Sequence, residues 1–279
     1  MGKTLYVSDL DGTLMQPGAF ISEKSAELLN KSIDAGKLFT IATARTPATV
    51  AKIIKDVKMN VPAIVMTGAS IWNPVTGQYS CQKYMDKDAV CELIDTYHRM
   101  KFPIFLFTLD DSMINIYHVG GELNKIEREF VEERINSPYK TFHLDLSGRE
   151  ILPEDFSKTI LFYGMQPAEH SEATHCEARN VEGIRSQCYY DLYGPTVGIV
   201  DAFSPLATKA NAIKSLKKDL GADKVVAFGD NLNDIPMLKA ADVAVVVENA
   251  IPEVKAIADI IIGPNTADSV AEFIYSDKS

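Results

Sequence analysis

Short apolar runs alternate with amphipathic segments over the first quarter of the chain. Thr4-Leu5-Tyr6-Val7-Ser8 is compact, β-branched and aromatic, the pattern of a buried strand. Ser22 opens a helix with Ala26, Leu29 and Ile33 on one face, and Gly36 closes it. A second buried run, Leu38-Phe39-Thr40-Ile41-Ala42, leads into Thr43-Ala44-Arg45. Thr46 as N-cap and Pro47 at the first helical position then start a helix. Its apolar residues Val50, Ile53, Ile54 and Val57 repeat at i, i+3, i+4 and i+7. Pro62-Ala63-Ile64-Val65-Met66 is a third strand. This strand–helix order predicts a parallel sheet with right-handed crossovers, which binds ligands beyond the C-terminal ends of its strands.

From about residue 84 the pattern changes. A helix from Asp86 carries Ala89, Val90, Leu93, Ile94 and Tyr97. Runs at 103–109 and 112–119, joined at Asp110-Asp111, read as a hairpin. A helix with Leu123, Ile126 and Phe130 follows, then strand-like runs at 140–146 and 159–165. A poorly amphipathic helix at 167–180 and strands at 184–193 and 196–203 complete the segment. Consecutive strands without intervening helices predict an antiparallel sheet, hence an inserted α+β domain over 84–197 between core segments 1–83 and 198–279. Strand–helix alternation then returns. A helix has Ile213, Leu216 and Leu220 on its inner face, strands lie at 224–228, 243–247 and 260–262, and helices follow Pro252 and surround Val270, Phe273 and Ile274.

Composition narrows the function classes. The net charge of −10 opposes a nucleic-acid-binding surface. No apolar run reaches the roughly 20 residues of a membrane helix, and the N-terminal stretch lacks signal-peptide architecture, so a cytoplasmic protein is expected. Cys81, Cys91, Cys176 and Cys188 form no C-x-x-C pair or zinc spacing and are expected as reduced, mostly buried thiols. The five histidines are scattered; His170 and His175 do not share a helix face.

The candidate chemistry begins where the first strand ends, at Asp9-Leu10-Asp11-Gly12-Thr13. Two carboxylates two residues apart project the same way from an extended chain. Crowding them is costly unless a cation or shared proton relieves it. Gly12 permits a sharp turn and close approach to a ligand, and Thr13 adds a hydroxyl and an N–H. As a local feature alone, the stretch also fits an ordinary acidic turn. Three later stretches bear on the choice: Ala42-Thr43-Ala44-Arg45, Thr208-Lys209-Ala210, and Gly229-Asp230-Asn231-Leu232-Asn233-Asp234 after an apolar strand.

Taken together and in this order, these stretches resemble the four motifs of the haloacid dehalogenase (HAD) superfamily, and specifically its Cof-type branch, subfamily IIB. The resemblance implies a Rossmann-like three-layer α/β core with a parallel sheet, plus an inserted C2-type cap. It implies Asp9 as nucleophile, Asp11 as general acid/base and Lys209 as the cation pairing with Asp9 and phosphate. Mg²⁺ would be held by Asp9, the main-chain carbonyl of Asp11, and Asp230. Leu10, Gly12, Thr43, Arg45, Gly68 and Asn233 would bind phosphate or substrate, with Asp234 and Thr13 in support. The branch usually has Asn-Gly-Ala where this chain has Thr67-Gly68-Ala69, which puts any substrate-orienting role of that Asn in question.

The expected activity is Mg²⁺-dependent hydrolysis of a small phosphomonoester, a sugar phosphate first, through an aspartyl-phosphate. A phosphomannomutase-like transferase and a non-catalytic phosphoester sensor are the alternatives. The expected partner is a small phosphorylated metabolite, with no nucleic acid or membrane, for a monomer or weak homo-oligomer.

Overall fold

A computed structural model describes residues 2–110, 112–144, 156–190 and 196–278. Its strands in chain order are β1 (Thr4–Ser8), β2 (Leu38–Ile41), β3 (Ala63–Val65), β4 (Ser70–Trp72), β5 (Tyr79–Ser80), β6 (Ile104–Leu109) and β7 (Ile114–Val119). Next come β8 (Lys140–His143), β9 (Thr159–Pro167), β10 (Arg185–Tyr190), β11 (Val197–Phe203), β12 (Lys224–Gly229), β13 (Val243–Val247) and β14 (Ile260–Ile262). The chain divides into two compact units, Met1–Cys81 with Ala207–Ser279, and Gln82–Leu206.

The first unit is an α/β fold on a five-stranded sheet in the order β14-β13-β12-β1-β2, every pairing parallel. β1 is wholly buried, which explains its unbroken apolar run. Chain order reverses at β1: the next strand in sequence lies on one side and β12 on the other. Such a switch point leaves a crevice at the carboxyl ends of the strands. Two helices start where the sequence predicts, the second ending at Ile53, short of the expected Val57. Glu23–Asp34 is capped by Ser22, whose side chain accepts from Ser25 N–H, and Gly36 beyond its end takes φ +92°. Pro47–Ile53 has Pro47 in its first turn, although the Thr46 side chain makes no capping bond. β3 keeps the expected parallel direction beside β2 but is not a strand of the five-stranded sheet. It meets the end of β2 through a parallel Ala42–Ile64 bridge, with Thr43 N–H donating to the Ile64 carbonyl at 3.0 Å, and pairs antiparallel with β4 in a small three-stranded sheet.

The second unit holds a six-stranded sheet in the order β10-β11-β9-β6-β7-β8. β6 and β7 form the expected hairpin, whose Asp111 lies outside the described residues. The expected strand ends at 145–146 and 191–193 also lie outside them. The sheet is mixed rather than antiparallel throughout, because β8 runs parallel to β7. Helices Lys87–Met100 and Ala168–Asn180 contribute Val90, Leu93, Tyr97 and Ala178 to a core with Leu106, Phe162 and Val200. The boundary expected at 197/198 would cut through β11. The whole strand belongs to this sheet, so the division falls after Leu206, with its counterpart after Cys81.

The four cysteines are free, and partly rather than mostly buried. Among the described residues no helix is long and apolar enough to cross a membrane.

Candidate active site

The site forms where β1 and β12 end side by side. Their register pairs Ser8 with Phe228, and Asp9 N–H donates to the Phe228 carbonyl at 3.0 Å. Neighbouring strands are about 4.8 Å apart, so the residues leaving them, Asp9 and Asp230, are juxtaposed despite their separation in sequence. Asp9, Asp230 and Asp234 each offer a carboxylate oxygen, all within 4.8 Å of one another.

Lys209 enters this acidic cluster from the first position of helix Lys209–Leu220. Only 2% exposed, it donates to Asp9 Oδ1 at 2.5 Å and to Asp234 Oδ1 at 2.7 Å. A lysine is misplaced at the positive end of a helix unless anions compensate it, and two do. Burial works against the Lys209 charge, but Asp9 and Asp234 outweigh it and hold the ammonium above its ordinary range. Asp234 Oδ2 accepts from Asp230 N–H at 3.1 Å and Asn231 N–H at 3.2 Å. Asp234 is thus the buried anchor that fixes both Lys209 and the turn carrying Asp230.

Burial pushes the Asp9 carboxyl up, toward about 7; Lys209 pulls it back down, and Asp234 and Asp230 add to the rise. Burial also raises Asp230, against a hydrogen bond from Thr13 Oγ1 to its Oδ1 at 2.9 Å. Three acids around one ammonium form an oxygen-only donor set with surplus negative charge. That chemistry suits a hard divalent cation.

Asp11 lies apart from this cluster. Its exposed carboxylate receives Arg45 Nε at 2.8 Å and Nη2 at 2.6 Å, a bidentate pair. Thr43 is fully buried at the end of β2, and its hydroxyl oxygen accepts from Arg45 N–H at 3.1 Å. Leu10 is fully buried, so only its main chain can meet a ligand. Asn233 is exposed on the turn after β12.

Gly12 and Gly68 are set by close approach. A Cβ on Gly12 would lie 2.4 Å from Asp230 Oδ2, and one on Gly68 would lie 2.3 Å from the Thr208 carbonyl oxygen. Gly68 therefore packs against the start of the lysine-bearing helix. Met66, Thr67 and Gly68 take successive positive φ values of 50°, 57° and 92°.

Two further residues reach the site from loops that carry no recognisable motif. Asn249, beyond β13, donates from Nδ2 to the Gly12 carbonyl at 2.7 Å. Asn265, beyond β14, donates from Nδ2 to the Met15 carbonyl at 2.7 Å. Their only sequence signal is position: both follow strands that end at the same sheet edge as β1 and β12.

Residues 6–274 match the family described as haloacid dehalogenase-like hydrolase. The pyridoxal phosphate phosphatase YbhA of Escherichia coli is 27% identical over 289 residues, covering 96% of each chain. Among solved structures, TM0651 of Thermotoga maritima superposes with a TM-score of 0.79 at 21% identity, covering 100% of this chain and 98% of its own. The subclass IIB sugar phosphatase BT4131 gives 0.67 at 19% identity, over 97% and 96%.

Proposed function

Given that this chain belongs to the haloacid dehalogenase-like hydrolases, we propose that it is a Mg²⁺-dependent phosphatase of a small phosphomonoester that works through an aspartyl-phosphate. The observation that carries this reading is Lys209 buried between Asp9 and Asp234, with Asp230 completing the cluster. An inert fold has little reason to bury that much like charge at a sheet edge, whereas phosphoryl transfer needs it.

Asp9, the Asp11 main-chain carbonyl and Asp230 would hold the Mg²⁺, which when bound supplies charge neutralisation for the phosphoryl oxygens. The Asp9 carboxylate attacks phosphorus as the bond to the departing oxygen breaks, and Asp11 gives that oxygen its proton. Water then attacks the phosphoryl group, losing a proton to Asp11, and phosphate leaves Asp9 free again. Lys209 keeps Asp9 oriented and offsets the negative charge that gathers around it. The Thr43 hydroxyl and Asn233 are the candidate phosphate donors. Arg45, paired with Asp11 in the structure, is the cation that would meet substrate beside it. Splitting the transfer in two lets one carboxyl serve as acid and then as base.

A sugar phosphate is the first expectation for the substrate. Pyridoxal phosphate is the second, on full-length similarity to YbhA. The test is phosphate release from a panel of sugar, nucleotide and cofactor phosphates with Mg²⁺. Turnover of at least one is expected, and Asp9→Asn should abolish it in a folded protein. Near-wild-type hydrolysis by Asp9→Asn would end this mechanism. A strict need for a bisphosphate activator would point to the transferase alternative, and silence across the panel to a sensor.

A further inference from the structure

Asp11 and Arg45 meet through two parallel hydrogen bonds, Nε to Oδ2 at 2.8 Å and Nη2 to Oδ1 at 2.6 Å, so one guanidinium engages both carboxylate oxygens. Among the described residues, no other group hydrogen-bonds the Asp11 side chain, which is 54% exposed. A pair this open adds little to stability. What it supplies is direction, because the planar fork of an arginine fits a carboxylate in one geometry.

The fork stands on a braced base. Arg45 N–H donates to Thr43 Oγ1 at 3.1 Å, and the Arg45 carbonyl accepts from Met66 N–H at 3.0 Å. Thr67 N–H donates to the Thr43 carbonyl at 2.9 Å. Gly68 then sits so close to the Thr208 carbonyl oxygen that a Cβ on it would lie 2.3 Å away. The main chain of Arg45 is therefore tied, through the segment from Met66 to Gly68, to the start of the helix that carries Lys209. Asp11 lies on a different segment, the turn that leaves β1. Its carboxylate is joined to the braced loop by the guanidinium.

A general acid or base must lie within hydrogen-bond reach of the oxygen it serves. Each Asp11 oxygen accepts one N–H from Arg45 and keeps a further lone pair for that work. We infer that Arg45 is a positioning residue: by gripping both Asp11 oxygens from a braced loop, it sets the direction in which Asp11 gives a proton to the departing oxygen and later takes one from water. That role rests on the proposed reading of Asp11 as acid and base, and it differs from service as a cation for the substrate alone.

The test measures kcat/KM with Mg²⁺ for the full-length wild type, Arg45→Ala, Asp11→Asn and the double variant. The substrates are the panel ester hydrolysed fastest, phenyl phosphate and p-nitrophenyl phosphate. The two aryl esters are alike in shape, but p-nitrophenolate departs with little need of a proton. Misplacing a reacting group by about 1 Å costs on the order of 100-fold. Arg45→Ala should therefore lose about 100-fold on the panel ester at an unchanged thermal midpoint. Its loss on phenyl phosphate should exceed that on p-nitrophenyl phosphate by at least about tenfold, which neither a structural role nor a simple charge contact would produce. In the Asp11→Asn background the same change should cost at least about tenfold less than in the wild type. Arg45→Lys keeps the charge without the fork and should stay at least about tenfold below wild type on the panel ester. Equal losses on the two aryl esters, additive costs in the cycle, or full activity of Arg45→Lys overturns the inference and leaves the phosphatase reading standing. Silence of the wild type on every ester overturns both. Should Arg45→Ala not fold, Arg45→Gln supplies the same comparison.

Discussion

Lys209→Met tests whether the site's electrostatics are structural as well as chemical. Lys209 Nζ lies 2.5 Å from Asp9 Oδ1 and 2.7 Å from Asp234 Oδ1, with side-chain exposures of 1%, 7% and 0% for Lys209, Asp9 and Asp234. Methionine fills nearly the same volume without the charge, so packing is conserved while two buried carboxylates lose their counter-ion. Removing one partner of a buried ion pair costs about 3–5 kcal/mol, because the group left behind keeps its desolvation penalty. Two groups are stranded here, so the upper end, about 5 kcal/mol, is expected. In a chain of this size that is a fall of about 10–15 °C in thermal midpoint. The assay is urea unfolding followed by circular dichroism at pH 7.5 without divalent ions. Adding Asp234→Asn to Lys209→Met should restore about 2 kcal/mol by removing one stranded charge while keeping an acceptor for the Asp230 and Asn231 amides. A Lys209→Met protein within about 1 kcal/mol of wild type, with no gain from the second change, would refute the reasoning.

Asp201, on β11, is 7% exposed; its Oδ2 accepts from Gln187 at 3.1 Å and Tyr189 at 3.4 Å, and burial lifts its carboxyl to about 7. Because the folded chain holds this proton more tightly, the stabilisation is complete below about pH 4 and is lost as pH rises through about 7. Asp201→Asn, which resembles the protonated form, should match wild type near pH 4 and exceed it by about 3–4 kcal/mol at pH 8; a pH-independent difference in urea midpoints would count against it. Thr67 has a β-branched side chain at φ 57°, a conformation that costs about 1–2 kcal/mol and that Asn tolerates better. Thr67→Asn should therefore raise unfolding stability by about 1 kcal/mol, and a loss of stability would show that its side chain is held by contacts that outweigh the strain.

Much of the site was legible in the sequence because its chemistry admits few residue types. A carboxylate pair at a strand end, a lysine where a helix disfavours it, and Gly-Asp-x-x-Asn-Asp after an apolar run each carry a chemical anomaly that local structure does not explain. Strand and helix periodicity placed them at one sheet edge, but the face expected from Val50 to Val57 is helical only as far as Ile53; Ile54 and Val57 are buried from the turn that follows. The uniformly antiparallel second sheet and the 197/198 boundary did not hold. Each depends on which strands pair, and pairing partners lie far apart in the chain.

What the order of residues determined alone was the alternation of elements and the inventory of reactive groups, because hydrophobic period and side-chain chemistry are local properties. Only the tertiary structure decided how those groups are shared out. It gave Asp234 to Lys209 rather than to solvent, Asp11 to Arg45, and Gly12 to Asn249. These partners are 25, 34 and 237 residues apart. The choice among hydrogen-bond acceptors is made by which strand ends become neighbours when the sheet closes, and no local pattern encodes it.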